Sequence, residues 1–467
     1  MGAPASACLH RRGWGARPTL AGRRQPISTP LSAPSLPPQP APPSANPTAG
    51  SAGRVAVIGS GLAGLAACWD LGAGSPVTPY EKQPQLGMAA HGLDWGGARV
   101  DMPLRVLYRG YYPTLTALYA EADIGVTGAD YAACFCDAEG DSYFRYRNSR
   151  GLPGLSLPLP WRGHSHRRPG RRILADLLRL YAGAAAQARS LRQRPRRLQD
   201  WLREQGYSED FREGFLLPAF AAIGTCDIDS VRDYPAATVL DYLRRGVLLK
   251  GVARTVQGAD HVVARLASRA SAVRTGCGVR ALEPDAEGCW VEDEEGGREH
   301  YAHVVLATPG HHAHALVAQA DPAAAAVLRR FAYQRGEVVV HTDPALMPRR
   351  RRDWSPVNFF VSAQAARPMA SIWLNRVLPV AAGTAHAFQT WAPLRPPQPA
   401  SVQARAQFER PLIDAGSNAA IAELQALHAE PGRRLWYCGS YAEAGVPLLE
   451  SAARSARQVA AAIRACR

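Results

Sequence analysis

Arg54-Val-Ala-Val-Ile-Gly-Ser-Gly-Leu-Ala-Gly64 joins a short, fully apolar run to three glycines at Gly59, Gly61 and Gly64. The run reads as a buried parallel strand, and the Ala/Leu-rich stretch behind the glycines reads as a helix to about Leu71. A second strand, Val77 to Glu81, follows a Gly-Ser-Pro turn and completes a βαβ start. The first glycine permits the tight turn, the second lets backbone approach a pyrophosphate, and the third lets helix and strand pack closely. The helix N-terminus offers unpaired N–H groups and a positive dipole end to phosphates. Glu81 stands where a carboxylate would accept hydrogen bonds from a ribose, and an acid there disfavours a 2′-phosphate. Gly59, Ser60, Gly61, Leu62, Ala63, Gly64 and Glu81 are therefore candidate dinucleotide-binding residues.

The chain has 467 residues, of which 47% are apolar, enough for two domains with buried cores. It contains no run of apolar residues long enough to be placed across a membrane. Nine cysteines are scattered without a CxxC pair, which gives zinc ribbons and thioredoxin-type dithiols no support. Cys68 and Cys438 lie in apolar runs and read as reduced, buried thiols.

The formal charge of +15 is concentrated in two places. Residues 1–50 hold five arginines and no acid; residues 145–198 hold fourteen arginines against Asp176 alone. The first segment, rich in Pro, Ala and Ser, buries too little apolar surface to offset its ordering entropy and is expected to be disordered. Its composition is that of an organellar transit peptide, with a plastid favoured over a mitochondrion. The second reads as a solvated basic cap, with contact to a membrane surface as the alternative. It lacks the aromatic interleaving of an RNA-binding module, so no nucleic-acid partner is expected.

From about Tyr112 the pattern turns helical, to about residue 250; residues 172–191 set Ile173, Leu174, Leu177, Leu178 and Tyr181 on one face. Strand-like pieces return at 289–293 and 303–307, and a second group at 337–341, 358–362, 370–375 and 386–391. The chain closes with a strand, Leu435 to Cys438, then Gly439-Ser440, then a helix from about Leu448 to Ile463. A nicotinamide dehydrogenase would normally finish its nucleotide domain sooner after the glycine turn.

This layout resembles the FAD-dependent amine oxidase and phytoene-desaturase superfamily. The resemblance is carried by Val55–Gly64, Tyr80-Glu81-Lys82, Val304-Val-Leu-Ala-Thr-Pro309 and Trp436-Tyr-Cys-Gly439. More narrowly, the chain is similar to predicted NAD/FAD-binding flavoproteins related to the N-terminal half of plant cyclopropane-fatty-acid synthases. That likeness rests on Asp101-Met-Pro-Leu-Arg105, Gly110-Tyr-Tyr-Pro113, Leu216-Leu-Pro218, Asp233-Tyr-Pro-Ala236, Arg254-Thr-Val-Gln-Gly258, Val273-Arg-Thr-Gly-Cys277 and Trp373-Leu-Asn-Arg376, among other pieces spanning about residues 54–463.

The resemblance implies an α/β fold: a doubly wound FAD/NAD(P)-binding, Rossmann-like domain with a second, α+β substrate domain. The FAD-binding domain would be assembled from residues 51–111, 253–320 and 416–467. The substrate domain would combine a helical region, 112–252, with strands in 321–415. Non-covalent FAD would lie over Gly59–Gly64, with Glu81 and Lys82 beside its adenosine ribose and Val279 at the adenine. Ala307 would lie beneath the turn, with Gly439 and Ser440 towards the flavin. Two departures stand out: Leu86-Gly87-Met88-Ala89 supplies one glycine where the superfamily usually has Gly-Gly-Arg, and Gly439-Ser440 replaces Gly-Asp.

A flavin carries the redox chemistry, and the protein supplies orientation and access. Many amine oxidases of this superfamily hold a water against the flavin with a lysine, whereas this chain has only Lys82 and Lys250, neither well placed. The expected activity is hydride removal from, or double-bond chemistry on, a largely apolar small molecule. The alternatives are an NAD-dependent dehydrogenase or a flavin-binding scaffold without turnover. Arg105, Tyr111, Tyr112 and Arg376 are the catalytic candidates, the tyrosines as an aromatic wall or as caps on the helix beginning at Pro113. His311, His312 and His314 have no cysteine or acid nearby in sequence, so no metal site is expected.

Overall fold

The apolar run forms strand β1 (Val55–Ile58), followed by helix α1 (Leu62–Leu71) and strand β2 (Val77–Glu81). The computed structural model describes residues 53–89, 91–148, 158–160, 168–245 and 251–466. The transit-like segment 1–50 and Lys250 lie outside the described residues. With β3 (Arg274–Thr275), β4 (His303–Leu306) and β5 (Leu435–Tyr437), the first two strands build a parallel sheet of order β3-β2-β1-β4-β5.

Alternation along these strands sends side chains to two different cores. Val55, Val57, Val305 and Trp436 meet α1 and the last helix, α2 (Leu449–Ala465), on one face. Ala56, Ile58, Leu306 and Tyr437 meet helices Gly310–Val317, Pro322–Leu328 and Ser417–His428 on the other. Both faces are covered, so the central β1 and the edge strand β5 are apolar throughout, as expected for a doubly wound sheet. The sheet order reverses between β1 and β4, and a ligand crevice is expected beyond the carboxyl ends of those strands.

A second sheet of eight strands runs Val402–Pro411, Tyr333–His341, Phe388–Trp391, Met369–Trp373, Val357–Val361, Ala133–Asp137, Ser142–Asn148, Pro158–Pro160. All its pairings are antiparallel except that of Val357–Val361 with Ala133–Asp137. This corrects the expectation of helix from Tyr112 onward. Among the described residues, four strands lie between the helix Pro113–Glu121 and the helix Arg168–Gln193. Ala133–Asp137 is covered on both faces: Phe135 stacks on Phe359 at 4.7 Å, while Cys134 and Cys136 pack with Leu346 and Met369. A strand buried on both sides lacks polar alternation and is easily misread. The helix Arg168–Gln193 buries Ile173, Leu177, Leu180 and Ala184, whereas Leu178, expected on that face, is 64% exposed. The strand expected at 370–375 stops at Trp373, where a single helical turn, Leu374–Val377, takes over.

The basic excess of residues 145–198 is partly answered by acids on neighbouring helices. Arg172 pairs with Asp210 (3.2 Å), Arg192 with Asp241 (2.7 Å) and Arg197 with Asp233 (3.3 Å). Arg145 donates to Ser355 Oγ at 2.9 Å and to the carbonyls of Arg352 and Trp354, which fastens that strand to its sheet. Residues 149–157 and 161–167 of this segment lie outside the described residues.

Two buried groups tie distant parts of the chain together. Glu450, at the start of α2, accepts hydrogen bonds from the backbone N–H groups of Thr114 (3.1 Å) and Leu115 (3.0 Å). It thereby caps the helix Pro113–Glu121, whose own N-cap residue, Tyr112, makes no side-chain cap. Replacing Glu450 with Ala should lower stability by about 1–2 kcal/mol in chemical denaturation, with Gln intermediate. His341, wholly buried, accepts from the Asp343 N–H at Nδ1 (3.2 Å) and meets Thr390 Oγ1 through Nε2 (2.8 Å). Burial lowers its pKa to about 4, so the unfolded chain takes up a proton that the folded chain refuses. Stability contributed by neutral His341 is complete above the unfolded value near 6.5 and is lost as pH falls towards 4. His341→Gln should remove about 2 kcal/mol of the stability difference between pH 7 and pH 4.5, read from denaturation midpoints at both pH values.

Candidate functional site

The glycine turn sits where β1 meets α1, at the reversal of sheet order. Gly59 has φ +95°, a conformation that favours glycine, and its N–H donates to the Tyr80 carbonyl at 2.8 Å. A Cβ on Gly64 would lie 1.9 Å from the Gly59 carbonyl oxygen and 3.3 Å from the Ala307 Cβ. Gly64 is therefore required by the helix crossing itself. A Cβ on Gly61 would meet nothing within 4 Å. Gly61 faces open space beside the N-terminus of α1, the side on which a pyrophosphate would have to approach. The residues fit a dinucleotide.

Glu81 is buried beneath the turn. Its carboxylate accepts from Ser60 N–H (3.1 Å), Ser60 Oγ (2.5 Å) and Gln83 N–H (2.9 Å). Ser60 Oγ in turn accepts from the Gly87 N–H at 2.7 Å. The single glycine of Leu86-Gly87-Met88-Ala89 thus pins its loop to the turn, and a Cβ on Gly87 would lie 2.9 Å from the Ser60 carbonyl oxygen. Cys277 N–H donates to the Glu81 carbonyl at 3.0 Å, which brings the strand beginning at Val279 close to the end of β2. Lys82 is exposed at the end of β2. Ala307 N–H bonds to the Ile58 carbonyl at 2.8 Å, beneath the turn. Gly439 is held by Ser455, whose Oγ accepts from the Gly439 N–H (3.0 Å) and donates to the Gly439 carbonyl (2.9 Å). Ser440 is half-buried beyond it, and α2 begins only at Leu449.

From this turn a cavity of about 300 Å³ opens towards the second sheet. Leu62, Met88, Leu448 and Leu449 line it from the nucleotide side, and Val357, Phe359, Ile372 and Trp391 from the sheet. Arg105 and Tyr112, two of the catalytic candidates, line it as well. Arg105 is delivered by a clamp on the preceding backbone. Gln389, fully buried, donates to the Asp101 carbonyl (2.9 Å) and accepts from the Leu104 N–H (2.7 Å).

The other two candidates go elsewhere. Tyr111 packs on Tyr242 with ring centroids 4.5 Å apart, and its hydroxyl oxygen accepts from the Val446 N–H at 3.0 Å. It holds the C-terminal loop rather than forming a wall. Arg376 is exposed and rests against the Trp373 ring, 5.9 Å from its centroid, because the helical turn Leu374–Val377 rotates it away from the cavity.

Sequence reasoning missed Arg410 and Phe408, which also line the cavity, together with the strand Val402–Pro411 that carries them. The signal was present: Val402, Ala404, Ala406, Phe408 and Arg410 alternate with exposed Gln403, Arg405 and Gln407. The same strand brings Glu409 to within 3.0 Å of His311 Nε2 and 3.4 Å of His312 Nε2. The acid missing from the sequence neighbourhood of these histidines is thus supplied in space, and the three ligand atoms lie within 4.8 Å of one another. Arg335 also pairs with Glu409, at 3.1 Å. Both Arg335 and the histidines hold the Glu409 carboxyl below its ordinary pKa.

The comparisons agree with this architecture. A family model described as an NAD(P)-binding Rossmann-like domain matches residues 57–122. A putative protoporphyrinogen oxidase from Exiguobacterium sp. 255-15 superposes with TM-score 0.64 at 14% identity, covering 89% of this chain and 100% of its own. A putrescine oxidase variant gives TM-score 0.60 at 15% identity, over 89% of this chain and 99% of its own. Cyclohexylamine oxidase from Brevibacterium oxydans IH-35A gives TM-score 0.58 at 15% identity, with the same 89% and 99% coverage. No curated protein matches in sequence.

Two glycine variants separate packing from binding. Gly64→Ala should lower the melting temperature with or without added FAD, because its clash is internal. Gly61→Val should leave the melting temperature of the unliganded protein within a few degrees and weaken dinucleotide uptake about tenfold or more, read by fluorescence titration. Residues 57–122 form an NAD(P)-binding Rossmann-like domain, and the chain as a whole shares its fold with these oxidases.

Proposed function

We propose that this protein is a FAD-dependent oxidoreductase that removes hydride from, or alters a double bond in, a largely apolar small molecule. The observation that carries this reading is the junction of the glycine turn with the cavity. Leu62 belongs at once to the turn and to the cavity wall, so a dinucleotide on the turn would extend its reactive end towards the second sheet. Bound FAD would supply the hydride-accepting chemistry.

The chain's own residues have narrower tasks. The amides of Gly59–Gly64 and the start of α1 would face the pyrophosphate, and Glu81, already oriented by Ser60, would accept from the ribose. Val279 would offer backbone to the adenine, and Gly439 and Ser440 would border the flavin end. The nucleotide domain in this proposal takes residues 51–111, 253–320 and 416–467, and the substrate region takes 112–252 and 321–415. FAD is held non-covalently: Cys438 is wholly buried, and burial and its neighbour Cys68 push its thiol above the ordinary range. The reactive thiolate is thereby disfavoured.

A second reading, an NAD-dependent dehydrogenase, draws on the family model matched at residues 57–122. An absorbance spectrum of the protein purified from residue 51 onward, before and after heat denaturation, separates the two. Flavin bands, with the yellow colour released into the supernatant, are the expected result. A colourless protein that takes up no added FAD would overturn the proposal, and nicotinamide-dependent activity in that protein would establish its rival.

A further inference from the structure

Arg105 and Arg410 enter one cavity from opposite chain segments, and neither forms an ion pair among the described residues. Arg105 Nη1 and Arg410 Nε are buried without a hydrogen-bond partner. Burial lowers the pKa of both, and the charge of Arg105 adds to the effect on Arg410, which falls to about 10. Both nevertheless remain cations at neutral pH.

Asp101 and Asp260 act on Arg105 through space and Glu409 lines the same cavity, but none of the three pairs with either arginine. Asp101 accepts from the Ala259 N–H at 2.9 Å, Asp260 pairs with Arg99 at 2.7 Å, and Glu409 serves Arg335 and the two histidines. Two like charges with unmet donors in a half-enclosed space are costly unless an anion joins them.

The opposite end of the same space is apolar. Tyr108, Tyr131, Ile223, Val357 and Phe359 are shared with a second, smaller hollow of about 70 Å³, which continues between Phe135, Phe215 and Phe220. We infer that the cavity takes an amphiphile with an anionic head held between Arg105 and Arg410 and an apolar chain in the aromatic hollow. It would thus disfavour the cationic amines implied by the names of the putrescine and cyclohexylamine oxidases. The inference names the substrate class for the site of the proposed oxidoreductase and rests on that reading only for the chemistry that follows binding.

The test is calorimetric titration of FAD-loaded and FAD-free protein with dodecanoate, dodecyl phosphate, dodecanol and dodecylamine, all below their micellar concentrations. At least one anion should bind about tenfold or more tightly than the alcohol, with the amine weakest. The two anion arms tell a carboxylate head from a phosphate head. Arg410→Met should bring the anion within about threefold of the alcohol, while Arg410→Lys should keep part of the preference. Melting temperatures identify a variant that fails to fold, and Arg105→Gln then makes the same test from the other side. Equal affinity for anion and alcohol, or tighter binding of the amine, would overturn the inference. So would a folded Met variant that keeps its anion preference but loses FAD uptake, since the arginines would then serve the flavin. Failure of the oxidoreductase reading shows separately, as absence of flavin in a protein that still distinguishes the head groups.

Discussion

The close approach of α1 to β1 is the constraint on which the remaining architecture depends. With a Cβ on Gly64 only 1.9 Å from the Gly59 carbonyl oxygen, no other residue lets the helix cross at this distance. That crossing presses Ala307, at the end of β4, against the turn and sets the point where the sheet order reverses. Gly61, with nothing near its would-be Cβ, is free of this packing duty. Two glycines in one short turn therefore differ: Gly64 answers to the fold, whereas Gly61 borders open space at the N-terminus of α1.

The parallel sheet is assembled from strands separated by hundreds of residues, and buried polar contacts tie these pieces together. Glu450 caps a helix that begins at Pro113, and the Tyr111 hydroxyl accepts from the Val446 N–H. Each satisfies a backbone group that would otherwise be buried without a partner, a loss worth roughly 1–3 kcal/mol. These bonds fix the loop before α2, and with it Leu448 and Leu449 on the wall of the cavity. The positioning of the cavity thus depends on residues that do not face it.

Charge in the cavity differs in kind from charge on the surface. Arginines such as Arg172, Arg192 and Arg197 stand in or near water beside acids, and exposed pairs of this type contribute little. Arg105 and Arg410 are half-buried, the charge of Arg105 acts on Arg410, and neither forms an ion pair among the described residues. Composition alone, with its abundance of arginine, does not distinguish the two populations.

What the sequence determined by itself is local. The apolar run before Gly59, the glycine spacing and the acid at Glu81 are bound by backbone geometry and hydrogen bonding within some thirty residues, and all took the places expected. The terminal strand and helix were legible for the same reason. Only the tertiary structure decided which side chains meet across the chain. Ala133–Asp137 is apolar on both faces because Phe135 packs on Phe215 on one side and Cys134 and Cys136 pack with Leu346 on the other, so its period was hidden. Tyr111 and Arg376 have the right chemistry for a site, yet a hydrogen bond to Val446 and one turn of helix direct them elsewhere. Arg410 reaches the cavity through the pairing of Val402–Pro411 with Tyr333–His341. Strand registry between segments sixty or more residues apart is set by packing and by the turns between them, and it is invisible to any short window of sequence.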